Sequence, residues 1–560
     1  GFGGKESQGA PFAAFAALTA LRTGRAARMV LTKDDDMVMT GKRNPFQNEW
    51  RVAFDSDGRL LALDARLYSD GGAFADLSTS IMERAMLHSD NAYYLPVARV
   101  TGQVCRTNVH PHTAFRGFGG PKGVAMIESI LEEIAHHLGL DPFDVRRLNA
   151  YGPGRDVTHY GQKLPNNLLP ELFDALATRC DYRRRRAEIL AANQAGGMLR
   201  GISLTAVKFG ISFTTRFLNQ GNALVNVHQD GTVQVSTGAT EMGQGVNTKI
   251  AQTVAQCLGI PLASVRVMAT STEKNHNTSP TAASAGTDLN AKAALIAAER
   301  IRGRLAEIAA QVLRLEPEHR PSRTAGLGTQ PELVQDGTFP GADSIVFQDG
   351  AVFDSAAPTR QLLFKEICRE AYLSRVQLGD YGFFRIPAIH FDKLTGQGDP
   401  FFYFTQGVAC SEVAIDRFTG ELKVLRTDIL MDLGTPINLG IDLGQVTGAF
   451  IQGMGWVTTE NLFYDQGYLV SHSPSTYKIP NVQDTPRIFN VDLVENTGNA
   501  RNVGGSKAVG EPPLLLGISV WTAIQDAFQS QVPPGRRMTF PIPATLERIL
   551  LALRDLEPTE

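Results

Sequence analysis

Four times along this chain two strand-like runs flank a turn containing Asp and Gly, and long helical stripes lie between these pairs. Arg51 to Phe54 and Leu60 to Leu67 flank Asp55-Ser56-Asp57-Gly58, and Ala223 to Val227 and Thr232 to Val235 flank Asp230-Gly231. Ser344 to Phe347 and Ala351 to Phe353 flank Asp349-Gly350, while Val408 to Ile415 and Leu422 to Leu425 flank Asp416-Arg417-Phe418-Thr419-Gly420. Alternating runs joined by such turns read as β-hairpins, since glycine supplies the positive φ the turn needs. Val124, Ile127, Leu131, Ile134 and Leu138 recur at helical spacing until Gly139 ends the stripe. Leu172 to Ala177, Thr248 to Leu258, Ala291 to Val312, Leu362 to Tyr372, Ile518 to Phe528 and Leu546 to Leu553 read the same way. Repeated hairpin-plus-helix units predict an α+β architecture of two lobes. The boundary is placed near Ala195-Gly196-Gly197, giving lobes 1–195 and 196–560. A Pro/Gly-rich stretch from Leu315 to Ala342 reads as a long loop or insertion within the second lobe.

The length of 560 residues is enough for about three to four domain-sized units. A formal charge of −3 gives no electrostatic reason to expect nucleic acid or an acidic membrane surface as partner. The basic run Arg183 to Arg186 is expected to be a solvated helix face. Five cysteines are scattered singly without a C-x-x-C pair, which argues against a disulfide framework, a zinc site or an iron–sulfur cluster held by this chain. Cytoplasm is the default location. No run of about 18 apolar residues predicts a membrane span. The chain opens in Gly1-Phe2-Gly3-Gly4-Lys5-Glu6 without a starting methionine and reads as one piece of a larger polypeptide.

Small residues gather at five separated places: Gly1 to Gly4, Gly117 to Gly120, Gly243-Gln244-Gly245, Ala282 to Gly286, and Gly504-Gly505 with Gly510. Together they predict backbone brought close to one large, flat or phosphate-bearing ligand. No Rossmann fingerprint or P-loop is present. Glu511 stands alone between Gly510 and Pro512-Pro513, ahead of the apolar run Leu514-Leu515-Leu516. Gly510 is expected to free the backbone, and Pro512 to bias Glu511 toward an extended conformation. An acid carried into apolar surroundings suits general-base work, and an acidic helix N-cap is the alternative this segment leaves open. His110 and His112 sit two apart, but no third ligand lies nearby in sequence, so both read as ordinary hydrogen-bonded histidines.

Six motifs stand in a fixed order: Gly1-Phe2-Gly3-Gly4-Lys5-Glu6, Glu83-Arg84-Ala85-Met86, Thr113 to Gly119, Thr240-Glu241-Met242-Gly243-Gln244-Gly245, Pro280 to Ser284, and Ala508-Val509-Gly510-Glu511-Pro512-Pro513. Over nearly the whole chain this order resembles the molybdenum-cofactor-binding portion of the xanthine dehydrogenase family of molybdenum hydroxylases. The resemblance implies that the two lobes bind a molybdopterin-type cofactor, whose own dithiolene holds the metal in place of protein ligands. Phe2, Gly3, Arg116, Gln244, Ala282, Ala283 and Ser284 would then border the cofactor, with Phe2, Arg116 and Ala283 nearest the molybdenum. Phe118 and Phe213 would sandwich a planar heterocycle. Thr214 would hydrogen-bond a purine oxygen, and Glu6 with Arg84 would orient the purine, Arg84 countering negative charge on the ring.

Glu511 would be the base that takes a proton from a hydroxyl on the metal. The resemblance thus implies oxidative hydroxylation of hypoxanthine or xanthine toward urate. The alternatives are an aldehyde or N-heterocycle hydroxylase with the same cofactor, and a cofactor-binding subunit without turnover of its own. 2Fe-2S clusters and FAD are expected on partner chains or further parts of the polypeptide, and a dimer of catalytic units is expected.

Overall fold

The computed structural model describes residues 5–315, 341–533, 535, 536 and 538–556. Phe2, Gly3 and nearly all of the loop expected over 315–342 lie outside the described residues. Each Asp/Gly turn closes an antiparallel hairpin: Phe46–Phe54 with Leu60–Gly72, Gln220–Val227 with Val233–Thr237, Ile345–Gln348 with Ala351–Asp354, and Tyr403–Ile415 with Leu422–Asp432. Gly58, Gly231, Gly350 and Gly420 all take φ between 71° and 84°, the left-handed geometry that glycine adopts without a steric penalty.

Tertiary pairing enlarges two of these hairpins into four-stranded sheets. Tyr403–Ile415 takes a second partner, Leu199–Ile211, along all 13 residues of each strand. Ile488–Leu493 adds a parallel edge beside Leu422–Asp432. All 13 residues of Tyr403–Ile415 are buried, because both faces of the sheet are covered. Ile202, Leu204, Ala206, Phe404, Val408 and Cys410 face one core, shared with the helix Leu169–Arg179. Val207, Phe209, Ala409 and Val413 face another, built with the helix Ile518–Gln529. This even/odd division is the period of two of an extended chain. A third core lies where the helices Val246–Leu258 and Gly286–Arg314 pack on the sheet containing Gln220–Val227 and Gly379–Arg385.

The expected helices form at 120–138, 169–179, 246–258, 286–314, 518–529 and 546–554. The one expected over 362–372 begins later, at Phe364, because Gln361–Leu363 pairs as a strand with Ala351–Asp354. The helix Leu439–Thr458 was not legible, since five glycines interrupt its pattern. Two of them serve close approach: a Cβ on Gly453 would stand 2.0 Å from the Leu514 carbonyl oxygen, and one on Gly455 would stand 2.5 Å from Pro480 Cδ. The basic run corrects the expectation of a solvated face. Arg183 and Arg184 are exposed, but Arg185 is buried against Glu412 and Asp428, and Arg186 pairs with Asp526 at 2.8 Å. The helix Tyr182–Ala195 lies along the central sheet, so two of its four arginines point inward. Among the described residues no helix is long and apolar enough to cross a membrane.

One buried ionic cluster fixes the helices behind the site. Arg146 donates to Glu128 at 2.7 Å and to Glu132 at 2.8 Å, all three side chains being fully buried. Tyr93 and Asn91 complete Glu128, and Ser203 reaches Glu132 from the central sheet. Arg146→Met would leave two carboxylates buried without their cation. It should cost about 3–5 kcal/mol, read as a lowered Tm or denaturant midpoint, whereas an unchanged midpoint would show the cluster to be dispensable.

Candidate functional site

A cavity of about 540 Å³ is walled by Lys5-Glu6, residues 114–118, the 242–246 turn, residues 281–288, the helix Leu439–Thr458 and residues 506–511. Glu6, Arg116, Phe118, Gln244, Ala282, Ala283, Ser284 and Glu511 all line it, although the sequence separates them by up to about 500 residues.

Glu511 adopts φ −111° and ψ −39°, a right-handed helical conformation, where the following proline predicts an extended one. Tertiary bonds override the local preference. The carboxylate accepts from the Gly117 N–H at 3.1 Å and the Ser284 hydroxyl at 2.8 Å, and the Gly510 carbonyl accepts from Arg116 Nε at 2.6 Å. Glu511 occupies the N-cap position of the helical turn Pro512–Leu515, but its side chain makes no capping bond and is turned instead to Gly117 and Ser284. Gly510 is needed for room rather than for backbone freedom, as a Cβ there would lie 3.0 Å from Ser284 Oγ.

The loop that presents the Gly117 N–H is wound in left-handed steps: φ is +93° at Gly117, +45° at Phe118 and +96° at Gly119. It is pressed on the helix Ser78–Leu87 so closely that a Cβ on Gly119 would stand 2.0 Å from the Ile81 carbonyl oxygen. Ala283 and Ser284, at φ +55° and +57°, repeat this conformation across the cavity without glycine. Such backbone persists only where surrounding contacts over-determine it. Arg116 reaches Gln452 and Gln445 on the helix Leu439–Thr458 at 3.2 and 3.1 Å, and burial lowers its pKa to about 10. Gln244 turns its amide back to Thr240 and Met242, leaving its stem along the wall.

Glu6 is largely buried, and among the described residues its Oε2 has no hydrogen-bond partner. Burial raises its pKa, with the negative charges of Glu511 and Asp76 adding to the rise. Arg84 lies behind the cavity, not on its lining. Its guanidinium donates to the Gly210 and Ser212 carbonyls at 2.9 and 2.5 Å, and lies 5.2 Å from the centres of the Phe209 and Phe401 rings. Among the described residues it makes no ion pair with Glu6. Phe213 and Thr214 stand on the loop after Leu199–Ile211, half-buried, where Asn219 holds Phe213 through both backbone groups. Neither borders this cavity.

Sequence reasoning missed the cavity's polar floor. Lys249 and Asp442 form an ion pair there, and Asp288 accepts from Tyr403 Oη at 2.7 Å and Asn502 Nδ2 at 2.8 Å. The signal available was small: Asp288 follows a small-residue turn and opens a helix.

The lining fits the group the resemblance implies. Gly243, Ala282, Ala283 and Gly286 let a broad ligand approach the backbone, and Lys249, Arg116 and three glutamines bring positive and hydrogen-bonding groups to it. Among the described residues no group of three His, Cys, Asp or Glu side chains is placed to hold a metal, His110 and His112 included.

Burial pushes the Asp288 carboxyl up to about 6 from 3.8, against the opposing bonds from Tyr403 and Asn502. A raised carboxyl favours the folded state in its protonated form. Its contribution is complete below about pH 4 and is lost as pH rises through about 6. Asp288→Asn should therefore flatten the fall of Tm across that window, and an unaltered slope would count against a buried protonated carboxyl.

The molybdopterin cofactor-binding domain family matches residues 1–150 with one of its domains and residues 175–328 and 338–486 with a second. A xanthine dehydrogenase of Oryza sativa subsp. japonica is 40% identical over 99% of this chain and 38% of its own length. The xanthine dehydrogenase/oxidase of Mus musculus is 42% identical over 95% of this chain and 36% of its own. The chain thus spans less than two fifths of these relatives. Quinoline 2-oxidoreductase from Pseudomonas putida 86 superposes with a TM-score of 0.82 at 25% identity, covering 99% of this chain and 68% of that one. The ordered motifs, the cavity that gathers them and these matches agree: the chain belongs to the molybdopterin cofactor-binding domain family.

Proposed function

We propose that this chain forms the catalytic centre of a purine hydroxylase that converts hypoxanthine or xanthine toward urate. The observation that carries the reading is one carboxylate, Glu511, held by a backbone N–H and a hydroxyl on the wall of a cavity whose donors suit a molybdopterin. When bound, the molybdenum cofactor supplies the redox chemistry of the hydroxylation. Glu511 is the base, its lone pair aimed by Gly117 and Ser284. Glu6, with an oxygen that has no partner among the described residues and a raised pKa, donates to or accepts from the purine's edge. Phe118 lines the substrate pocket, and Phe213 with Thr214, which stand off the cavity lining, form its outer part in this reading. Arg84 supplies positive charge as electrons build on the ring, a role supported by its electrostatic reach to Glu511.

The two lobes, 1–195 and 196–560, meet at the cofactor in this reading, since the cavity draws walls from both ranges. Taking oxygen from water releases two electrons per hydroxylation. Iron–sulfur and FAD groups on partner chains or further parts of the polypeptide carry them away, in a cytoplasmic dimer of catalytic units. One observation favours a second reading. Arg84 is occupied by two carbonyls, which leaves room for an aldehyde or N-heterocycle substrate without a charged oxygen to bind.

Glu511→Gln in the holoenzyme should lower turnover on xanthine by about a hundred- to ten-thousandfold with molybdenum content unchanged, the range that general bases supply. Near-normal turnover would remove Glu511 as base. Arg84→Met should lose xanthine activity while sparing an aromatic aldehyde, and equal loss on both would argue for a structural role of Arg84 instead.

A further inference from the structure

Glu511 stands where it does because the peptides ahead of it are held one by one. The Lys507 N–H donates to the Leu433 carbonyl at 2.8 Å, and the Gly510 carbonyl accepts from Arg116. Between them the Ala508 N–H donates to Tyr403 Oη at 2.8 Å, and the Ala508 carbonyl accepts from Thr405 Oγ1 at 2.8 Å. Tyr403 and Thr405 are two residues apart on the central strand, so they share a face and grip the N–H and the carbonyl of one buried residue, fixing the peptide units on either side of it.

The phenol has one proton, and that proton is committed: Tyr403 donates it to Asp288, whose other oxygen accepts from Asn502. A lone pair is therefore turned toward Ala508 whenever Asp288 is in place. Tyr403 is 4% exposed and does not line the cavity, so it acts without touching substrate.

We propose that Tyr403 is a positioning residue for Glu511. Its phenol, oriented by Asp288, locks the Ala508 peptide and so the approach of the Glu511 carboxylate to the cavity. The proposal rests on the reading of Glu511 as base.

The test is the rate at which xanthine reduces the holoenzyme in a single turnover, for Tyr403→Phe, Glu511→Gln and the two combined. Tyr403→Phe should slow reduction by about ten- to hundredfold, the scale of a small misplacement of a reacting group. The xanthine concentration for half-saturation and the molybdenum content should stay near those of the parent enzyme. In the Glu511→Gln background Tyr403→Phe should cost nothing more. Losses that multiply in the double variant, or an unchanged rate in Tyr403→Phe, overturn the positioning role while leaving the base assignment standing. A Glu511→Gln enzyme that reduces normally overturns both. Should Tyr403→Phe lose its molybdenum, Thr405→Val releases only the Ala508 carbonyl and must show the same non-additive loss; a multiplicative loss or an unchanged rate there overturns the proposal.

Discussion

The ladder between Leu199–Ile211 and Tyr403–Ile415 is the constraint on which the other elements depend. It joins segments about two hundred residues apart, residue by residue and without a register shift. Because side chains alternate, a slip of one position would exchange the contents of two cores. Its odd positions receive the helix Ile518–Gln529 so closely that a Cβ on Gly201 would lie 2.0 Å from the Ala523 carbonyl oxygen. Its opposite end supplies the Gly210 carbonyl to Arg84 and the Tyr403 phenol to Ala508. The same pairing thus sets both the packing of the cores and the placing of groups around the cavity.

The site extends that logic into polar chemistry. Every wall is held by bonds from somewhere else in the chain: Arg116 from the left-handed loop to Gly510 and to the glycine-rich helix, Ser284 to Glu511, Tyr403 to Asp288 and Ala508. Buried hydrogen bonds of this kind are worth most when all are made, since a single missing partner leaves a desolvated group unsatisfied. Glu6 differs in that, among the described residues, the Oε2 it brings to the cavity lining has no partner.

The hairpins were legible because their cause is local: an Asp/Gly turn with a left-handed glycine, flanked by alternating residues. The amphipathic helices were legible for the same reason. What failed was what depends on distant contacts. Five glycines obscured the helix Leu439–Thr458, where Gly453 serves close approach to Leu514. Arg185 and Arg186 read as solvated because their acidic partners, Glu412, Asp428 and Asp526, lie more than two hundred residues away. Glu511 read as extended because the proline after it acts locally, while Gly117 and Ser284, which decide its geometry, come from other parts of the chain.

By itself the sequence determined the α+β class, the hairpin and helix segments and, through six motifs in order, the resemblance to molybdenum hydroxylases. Only the tertiary structure decided that eight of the named residues share one cavity, that Arg84, Phe213 and Thr214 stand off its lining, and that Asp288, Tyr403 and Lys249 belong to the site or its support. The reason is one of range. Propensity, turn chemistry and side-chain period act over a few residues and are written in sequence. The meeting of Gly117, Ser284 and Glu511 is set by long-range pairing and buried hydrogen bonds, which no local pattern records.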